Sequence, residues 1–489
     1  MTTLISFNYK AILRLLGILI LLLGLAMVIP WVYAEVTHDV SGIYSFRRCA
    51  PITILAGAVI SFSVKSYRAK FRPREGYIVV TSAWLLCILI GAFPYYLSDF
   101  TGSYINAFFE STSGFTTTGC TAENVMLSNT LLLWKAVTHW LGGMGILILV
   151  ISILPALGIN GQYIAKAEAP GPIFEKMTVR VSDSAKVLYL TYIAFTLLEF
   201  ILLMLSGKMT AFDALITTTG SISTSGLTCH PAGITYYNSV YIEVIISIFC
   251  VLASVNFILY FYFVTGRQRN LLKDIEFRAF LIIILLGIFI CTASMLITGE
   301  CSLETALRNA FFQVISLSTT SGYLLSPDII WPATCQMILL TVMLIGGCSS
   351  STSGSLKVSR VLVMLKLIWR GCIKRIHPRS VVAVKLGKNA VSAPVVSGIT
   401  VFILTYMSIL LFSLLVLSFQ GLDFQTTFTT ALAMLSNTGL VIGPTESLVD
   451  FSSFHPLLRL YLSGLMIIGR LEMFPIIIML TRHFWGKAR

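Results

Sequence analysis

The sequence predicts an all-α polytopic membrane protein: an accessory helix hairpin, then four membrane helix–pore helix–membrane helix repeats in a pseudo-fourfold arrangement around one pore. Three observations carry that prediction. Of the 489 residues, 56% are hydrophobic and 11% are charged, whereas a soluble domain holds about 25% charged residues. Apolar runs near twenty residues recur along the chain, long enough to cross a hydrocarbon core about 30 Å thick. A phrase of two small polar residues and a glycine also recurs four times, as Thr117-Thr118-Gly119, Thr224-Ser225-Gly226, Thr320-Ser321-Gly322 and Asn437-Thr438-Gly439. The alternating strands of a β-barrel are missing from the pattern.

The four phrases share a register. Ala107, Ala214 and Ala310 each stand twelve positions before their glycine, and Thr427 holds that place in the fourth copy. The glycines lie 107, 96 and 117 residues apart. One such tripeptide means nothing, because Ser, Thr and Gly are common in loops. Four in register, each flanked by membrane-length segments, read as four walls of one pore.

In chain order, residues 1–70 form the accessory hairpin, with helices near Ala11–Ala34 and Pro51–Val64 and a short outer loop between them. The first is too long for a signal peptide and lacks a cleavage site, so it is read as a retained helix. Four repeats follow, at 71–160, 161–270, 271–388 and 389–489. Eight repeat helices plus the leading pair give ten spans. Basic residues cluster at Lys65, Arg68, Lys70, Arg72 and Arg74, at Lys166, Lys176, Arg180 and Lys186, and at Arg267, Arg269, Lys273 and Arg278; nine more lie between Lys357 and Lys388. The alternate side holds Arg47, Arg48, Lys135, Lys208, Arg308 and Arg459. The positive-inside rule puts the rich side, and with it both termini, in the cytoplasm. That topology accounts for the formal charge of +13 without a nucleic-acid partner.

The runs before the phrases, such as Tyr104–Ser113 and Glu304–Leu317, are too short to cross a bilayer and suit re-entrant half-helices. Exposed backbone at membrane depth is tolerated only where protein or water covers it. A ring of Ser/Thr-Gly carbonyls meets that condition and can replace part of a cation's hydration shell. The twelve phrase residues are therefore the candidate cation ligands. The second helix of the third repeat is interrupted by Gly346-Gly347-Cys348-Ser349-Ser350-Ser351-Thr352-Ser353-Gly354-Ser355, read as a flexible loop lining a cavity. Arg470 sits inside the otherwise nearly apolar stretch Leu462–Leu480, where a mid-span arginine costs about 2.5–3.5 kcal/mol on insertion scales and so faces protein or water. Glu472, two residues on, leaves on a different face. Together these give a gate: Gly346, Gly347, Cys348 and Gly354 in a loop that obstructs the path below the carbonyls, and Arg470 repelling the cation or anchoring that loop.

Other functions find less support. No Walker A sequence or GxGxxG fingerprint occurs, so no nucleotide or organic cofactor is expected on this chain. No HExxH or Cys/His cluster points to a metal enzyme, and no GxSxG to a serine hydrolase. Cys120, Cys229, Cys301 and Cys335 fall on the outer side, where a disulfide is conceivable. A polytopic membrane enzyme or sensor is the alternative from another class, but it needs no four equivalent walls. A proton- or sodium-coupled symporter is the alternative within transport, with Glu110 and Glu472 as candidate titratable groups. His139, Trp140 and the Gly142-Gly143 pair read as sites of close helix packing.

These residues resemble the TrkH-type potassium transporters of the Trk/Ktr/HKT superfamily along nearly the whole chain. The resemblance is carried by Ala107-Phe108-Phe109-Glu110-Ser111 with Thr116-Thr117-Thr118-Gly119, and by Trp140-Leu141-Gly142-Gly143-Met144-Gly145-Ile146. It continues through Ala167-Glu168-Ala169-Pro170-Gly171-Pro172, Gly346-Gly347-Cys348 with Leu356-Lys357-Val358, and Gly469-Arg470-Leu471-Glu472. What it implies is potassium uptake across the inner membrane, with potassium as the transported ion. It further implies a homodimer gated by a cytoplasmic nucleotide-binding ring of the TrkA type. It assigns one filter glycine per repeat (Gly119, Gly226, Gly322 and Gly439), the intramembrane loop at 346–355 and the gating arginine at Arg470. The basic segment Lys357–Lys388 would be a docking surface for that ring, or merely topogenic. Two features depart from the family pattern: serines at 349, 350, 353 and 355 where glycine is usual, and Leu440-Val441-Ile442-Gly443 after the fourth phrase.

Overall fold

The computed structural model describes residues 8–64, 73–98, 100–122, 127–145, 181–264, 273–299, 301–325, 329, 331–387, 389–442 and 449–485. Lys65, Arg68, Lys70, Arg72, Lys166, Lys176, Arg180, Arg267, Arg269, Lys388, Ile146, the 167–172 motif and Gly443 lie outside them. The chain divides into two compact units, one formed by residues 1–194 and 450–489, the other by 195–449.

In the first unit, α1 (Tyr9–Thr37) and α2 (Val40–Ser63) form a tight hairpin. Glycines permit the close approach: a Cβ on Gly24 would lie 2.7 Å from the Ile54 nitrogen, and one on Gly17 would lie 2.8 Å from the Ser61 nitrogen. The second helix starts eleven residues before the expected Pro51, because the Asp39 carboxylate caps it by accepting the Gly42 N–H at 3.1 Å. Arg47 and Arg48 are therefore helical. They do not lie in an outer loop. Next come α3 (Pro73–Leu97), α4 (Tyr104–Phe115) and α5 (Asn129–Gly143). Leu15, Leu19, Phe46, Trp84, Ile88, Phe115 and Trp134 share one apolar core. Within it the Trp134 indole donates to the Gly91 carbonyl at 3.1 Å and meets Phe46 edge-on at 5.9 Å. The division between the units falls inside α6 (Val181–Met204).

The second unit continues with α7 (Ala211–Ile222), a 3-10 turn at Gly233–Tyr237, α8 (Val240–Ser254) and α9 (Phe257–Val264). Then follow α10 (Ile275–Thr298), α11 (Leu303–Ser318), α12 (Ala333–Ile345) and α13 (Val358–Ile376). A small antiparallel pairing of β1 (Lys385–Leu386) with β2 (Asn389–Ala390) precedes α14 (Ala393–Leu417) and α15 (Phe424–Leu435). The chain returns to the first unit with α16 (Pro456–Arg470), α17 (Phe474–Leu480) and α18 (Arg482–Trp485).

Among the described residues, six helices are long and apolar enough to cross a membrane, or seven if the bent pair α16–α17 is one span. Their outward faces are apolar too, with Leu285, Leu286 and Phe289 exposed on α10 and Leu411, Phe412 and Leu415 on α14. A helix that is hydrophobic all round is solvated by lipid. Ten spans were expected, one of them interrupted, and the shortfall has one cause. The helix after each phrase stops after thirteen to fifteen residues: α5 at Gly143, α8 at Ser254, α12 at Ile345 and α16 at Arg470. The sequence pointed to such a break only in the third repeat.

Candidate functional site

Four short helices lead into the four phrases, and all four begin alike. Ser103, Thr210, Ser302 and Asp423 each accept the N–H three residues on, from Asn106 at 3.3 Å, Asp213 at 3.1 Å, Thr305 at 3.3 Å and Thr426 at 3.0 Å. Such caps satisfy amides that the first turn leaves open. Three of the helices are 12 residues long and α11 is 16. At 1.5 Å per residue none crosses a bilayer.

The phrases then share one backbone conformation. Thr116, Ser223, Thr319 and Ser436 close the helices at φ between −84° and −78°. Thr117, Thr224, Thr320 and Asn437 follow at φ of 57°, 54°, 55° and 56°. After one residue at negative φ, Gly119, Gly226, Gly322 and Gly439 are again left-handed, at 83°, 66°, 73° and 69°. A β-branched threonine at positive φ is a true outlier costing about 1–2 kcal/mol. Repeating it at one place in three loops, with asparagine in the fourth, marks a built feature.

Hydrogen bonds hold the conformation identically. The N–H groups of Thr118, Ser225, Ser321 and Thr438 donate to the carbonyls of Ser113, Gly220, Ser316 and Ala433 at 3.0, 2.8, 2.8 and 2.9 Å. The hydroxyl closing each helix bonds the hydroxyl two residues on: Thr116 with Thr118 at 2.8 Å, Ser223 with Ser225 at 3.0 Å, Thr319 with Ser321 at 2.8 Å and Ser436 with Thr438 at 2.8 Å. These amide donors are spent on the helix ends. The hydroxyl-bearing residues are buried, while all four glycines are partly exposed. Of the hydroxyls closing the helices, the motifs read from the sequence include Thr116 but leave out Ser223, Thr319 and Ser436. The signal was there, a Ser or Thr three residues before every glycine.

In the second unit, three of the loops meet backbone to backbone. A Cβ on Gly226 would overlap the Ser321 carbonyl oxygen, and one on Gly322 would overlap that of Thr438. Glycine serves there for its conformation and equally for the neighbour it admits. The Tyr323 hydroxyl donates to the Thr217 carbonyl at 2.8 Å, tying the third loop to α7. In the first unit, a Cβ on Gly142 would overlap the Phe115 carbonyl oxygen, the close packing expected of the Gly142-Gly143 pair. The Glu110 carboxylate meets the Lys135 ammonium at 2.8 Å with both side chains fully buried.

The segment 346–355 adjoins the loops of the second unit. Gly354 donates to the Thr320 hydroxyl at 2.7 Å, and a Cβ on Gly354 would overlap the Ser436 carbonyl oxygen. Cys348 donates to the Ser254 carbonyl at 2.9 Å and Thr352 to that of Ala253 at 3.3 Å, both carbonyls from the open end of α8. The buried Glu276 carboxylate accepts from Ser349 N–H at 2.6 Å and Ser359 N–H at 3.1 Å, one bond at each end of the segment. The Lys357 ammonium folds back onto the Ser353 carbonyl. The serines lace the segment: Ser351 donates to the Cys348 carbonyl at 2.6 Å and meets the Ser353 hydroxyl at 2.7 Å, and Ser355 donates to the Leu344 carbonyl.

Arg470 is not mid-helix, as the hydropathy suggested. It ends α16, where the chain turns by 112° into α17, with Glu472 and Met473 at φ of 54° and 63°. Its guanidinium donates to the carbonyls of Gly142 and Gly143 at 2.5 and 2.7 Å. A cation there meets carbonyls of the last turn of α5 and the negative end of its dipole. None of the ten cysteines, Cys120, Cys229, Cys301 and Cys335 included, forms a disulfide.

A family model described as TrkH, cation transport protein, matches residues 44–485. The Trk system potassium uptake protein TrkH of Salmonella typhimurium is 33% identical over 98% of this chain and 100% of its own length. The Trk system potassium uptake protein TrkG of Escherichia coli is 30% identical over 98% of this chain and 99% of its own. The crystal structure of the potassium transporter TrkH from Vibrio parahaemolyticus superposes with a TM-score of 0.87 at 31% identity, covering 98% of this chain and 100% of that one.

Proposed function

Because this chain belongs to the TrkH family of cation transport proteins, a transporter family and not an enzyme family, we propose that it takes up potassium across the inner membrane through one selectivity filter built from its four Ser/Thr-Gly loops. The observation that carries this proposal is the single backbone conformation adopted at 116–119, 223–226, 319–322 and 436–439. Alternating backbone hand, with the amide donors bonded to the helix ends, leaves carbonyl oxygens as the groups to coordinate an ion. Each loop also sits at the C-terminal, partially negative end of its helix, which favours a cation. The ligand set is then Thr117, Thr118, Gly119, Thr224, Ser225, Gly226, Thr320, Ser321, Gly322, Asn437, Thr438 and Gly439, one quarter from each of four repeats in pseudo-fourfold arrangement.

Segment 346–355 is the gate in this proposal, with Gly346, Gly347, Cys348 and Gly354 as its gating residues and Arg470 as a second control point. Supporting it is the bond from Gly354 to Thr320. Regulation comes from a cytoplasmic nucleotide-binding ring of the TrkA type, docking on the basic segment 357–388, where Lys374 and Arg375 occupy the last turn of α13. The protomer works as a homodimer with both termini cytoplasmic. Rubidium-tracer uptake into liposomes holding the purified protein tests the proposal. Competition by potassium and not by sodium is expected. Equal competition by the two ions would sink the four-loop filter.

A further inference from the structure

We propose that the buried ion pair Glu110–Lys135 is the positioning element of the first loop, doing with two charged side chains what the single amide of Gln313 does for the third. The inference rests on the filter assignment above. Glu110 and Gln313 each stand nine residues before their glycine, Gly119 and Gly322. Glu110 Oε1 accepts the N–H of Ala122 at 2.6 Å, and Gln313 Oε1 accepts that of Leu325 at 3.5 Å; both donors lie three residues past the glycine. The carbonyl directly after each glycine is held as well. Lys135 Nζ donates to the Cys120 carbonyl at 2.9 Å, and Gln313 Nε2 donates to the Tyr323 carbonyl at 3.3 Å. Each of these carbonyls takes a second bond from the hydroxyl six residues before the glycine, Ser113 at 2.6 Å and Ser316 at 2.7 Å.

The same three bonds thus fix the exit of both loops. A carboxamide carries acceptor and donor on one group. In the first loop these roles are split between a carboxylate on α4 and an ammonium on α5, 2.8 Å apart. The pair is neutral as a whole, so the potential beside the loop stays close to that of the amide. Either partner alone would be an uncompensated buried charge next to an ion path. The second and fourth repeats hold Thr217 and Thr430 at this place, and their hydroxyls are buried without a hydrogen-bond partner. Among the described residues, only the first and third loops carry the device.

The test is ion competition against rubidium uptake in liposomes, on protein purified as a monodisperse peak. The variants are E110Q, K135M and the double variant E110Q/K135M. Each single change should cut the preference for potassium over sodium by about tenfold or more, since it leaves one charge unpaired. In the double variant the new glutamine can make both bonds, so the preference should return to within about threefold of the parent. A purely structural salt bridge would not show that rescue. Singles with parental preference, or a double variant no better than the worse single, would overturn the proposal. Should a single variant fail to fold, Gln313→Met gives the same reading in the third loop, and parental selectivity there would overturn the proposal too. Absence of potassium preference in the parent protein would instead remove the filter assignment beneath it.

Discussion

Gly354 donates its backbone N–H to the Thr320 hydroxyl over 2.7 Å, so segment 346–355 is bonded to the residue that bends the third loop. The same glycine lies against the Ser436 carbonyl at the end of α15. A segment so placed meets two of the loops at once. It can move only by giving up these contacts.

Removing the acceptor should therefore loosen the segment. Thr320→Ala leaves the Gly354 N–H unpaired at a cost of about 1–3 kcal/mol. If the segment is the gate and its open state is the minor one, that shift raises the open population by about five- to 150-fold. Rubidium uptake measured without any cytoplasmic partner should rise accordingly. Unchanged uptake at equal protein would show that this bond does not hold the segment.

Two glycines separate conformation from crowding. Gly322 and Gly299 share a φ of 73°, but a Cβ on Gly322 would overlap the Thr438 carbonyl, whereas around Gly299 nothing lies within 4 Å. Gly322→Ala should abolish selective uptake. Gly299→Ala should cost only the left-handed strain of about 1–2 kcal/mol in a thermal melt and leave selectivity alone. Equal effects of the two substitutions on selectivity would contradict the packing account.

Arg470 is bound to the end of α5 by two short bonds from one nitrogen. If its role is to hold that end, Arg470→Lys should behave nearly as poorly as Arg470→Gln, because the lysine ammonium ends one bond short of the guanidinium nitrogen that makes both contacts. Both variants should lose about 1.5–3 kcal/mol of stability and gain basal flux. Parental behaviour of Arg470→Lys, with high flux only in Arg470→Gln, would assign the effect to charge repulsion along the path.

The four phrases were legible because each repeats a local chemical need, a small hydroxyl and a glycine at a helix end. The breaks after α5, α8 and α16 were not. Hydropathy counts transfer energies, and a break such as Ser254-Val255-Asn256 barely interrupts an apolar run. Pro51 misled in the same way: read as the start of a helix, it sits inside α2, whose start is set by Asp39. The Glu110–Lys135 pair was invisible for a different reason. Its partners are 25 residues apart on separate helices and meet only in three dimensions.

The helix α15 carries a pH-sensitive cap. Hydrogen bonding from the Thr426 side chain, and then from its N–H, holds the Asp423 carboxyl below its ordinary range. A depressed folded-state value means that the cap contributes stability above the unfolded pKa of about 3.9 and loses it as the pH falls through the folded value. Asp423→Asn keeps a capping oxygen that does not titrate. Melting points of the two proteins should agree at neutral pH, and only the parent should decline further at the acid end. Parallel acid curves would remove Asp423 from the titration.

The most direct test of the account is the reversal potential of the purified protein in a planar bilayer, with potassium on one side and sodium on the other. Arg470→Gln is the variant to use, so that the path conducts. A filter of four equivalent loops predicts reversal displaced strongly toward the potassium equilibrium potential, with Gly322→Ala in the same background moving it toward zero. A reversal near zero for Arg470→Gln itself would contradict a potassium filter at these four loops.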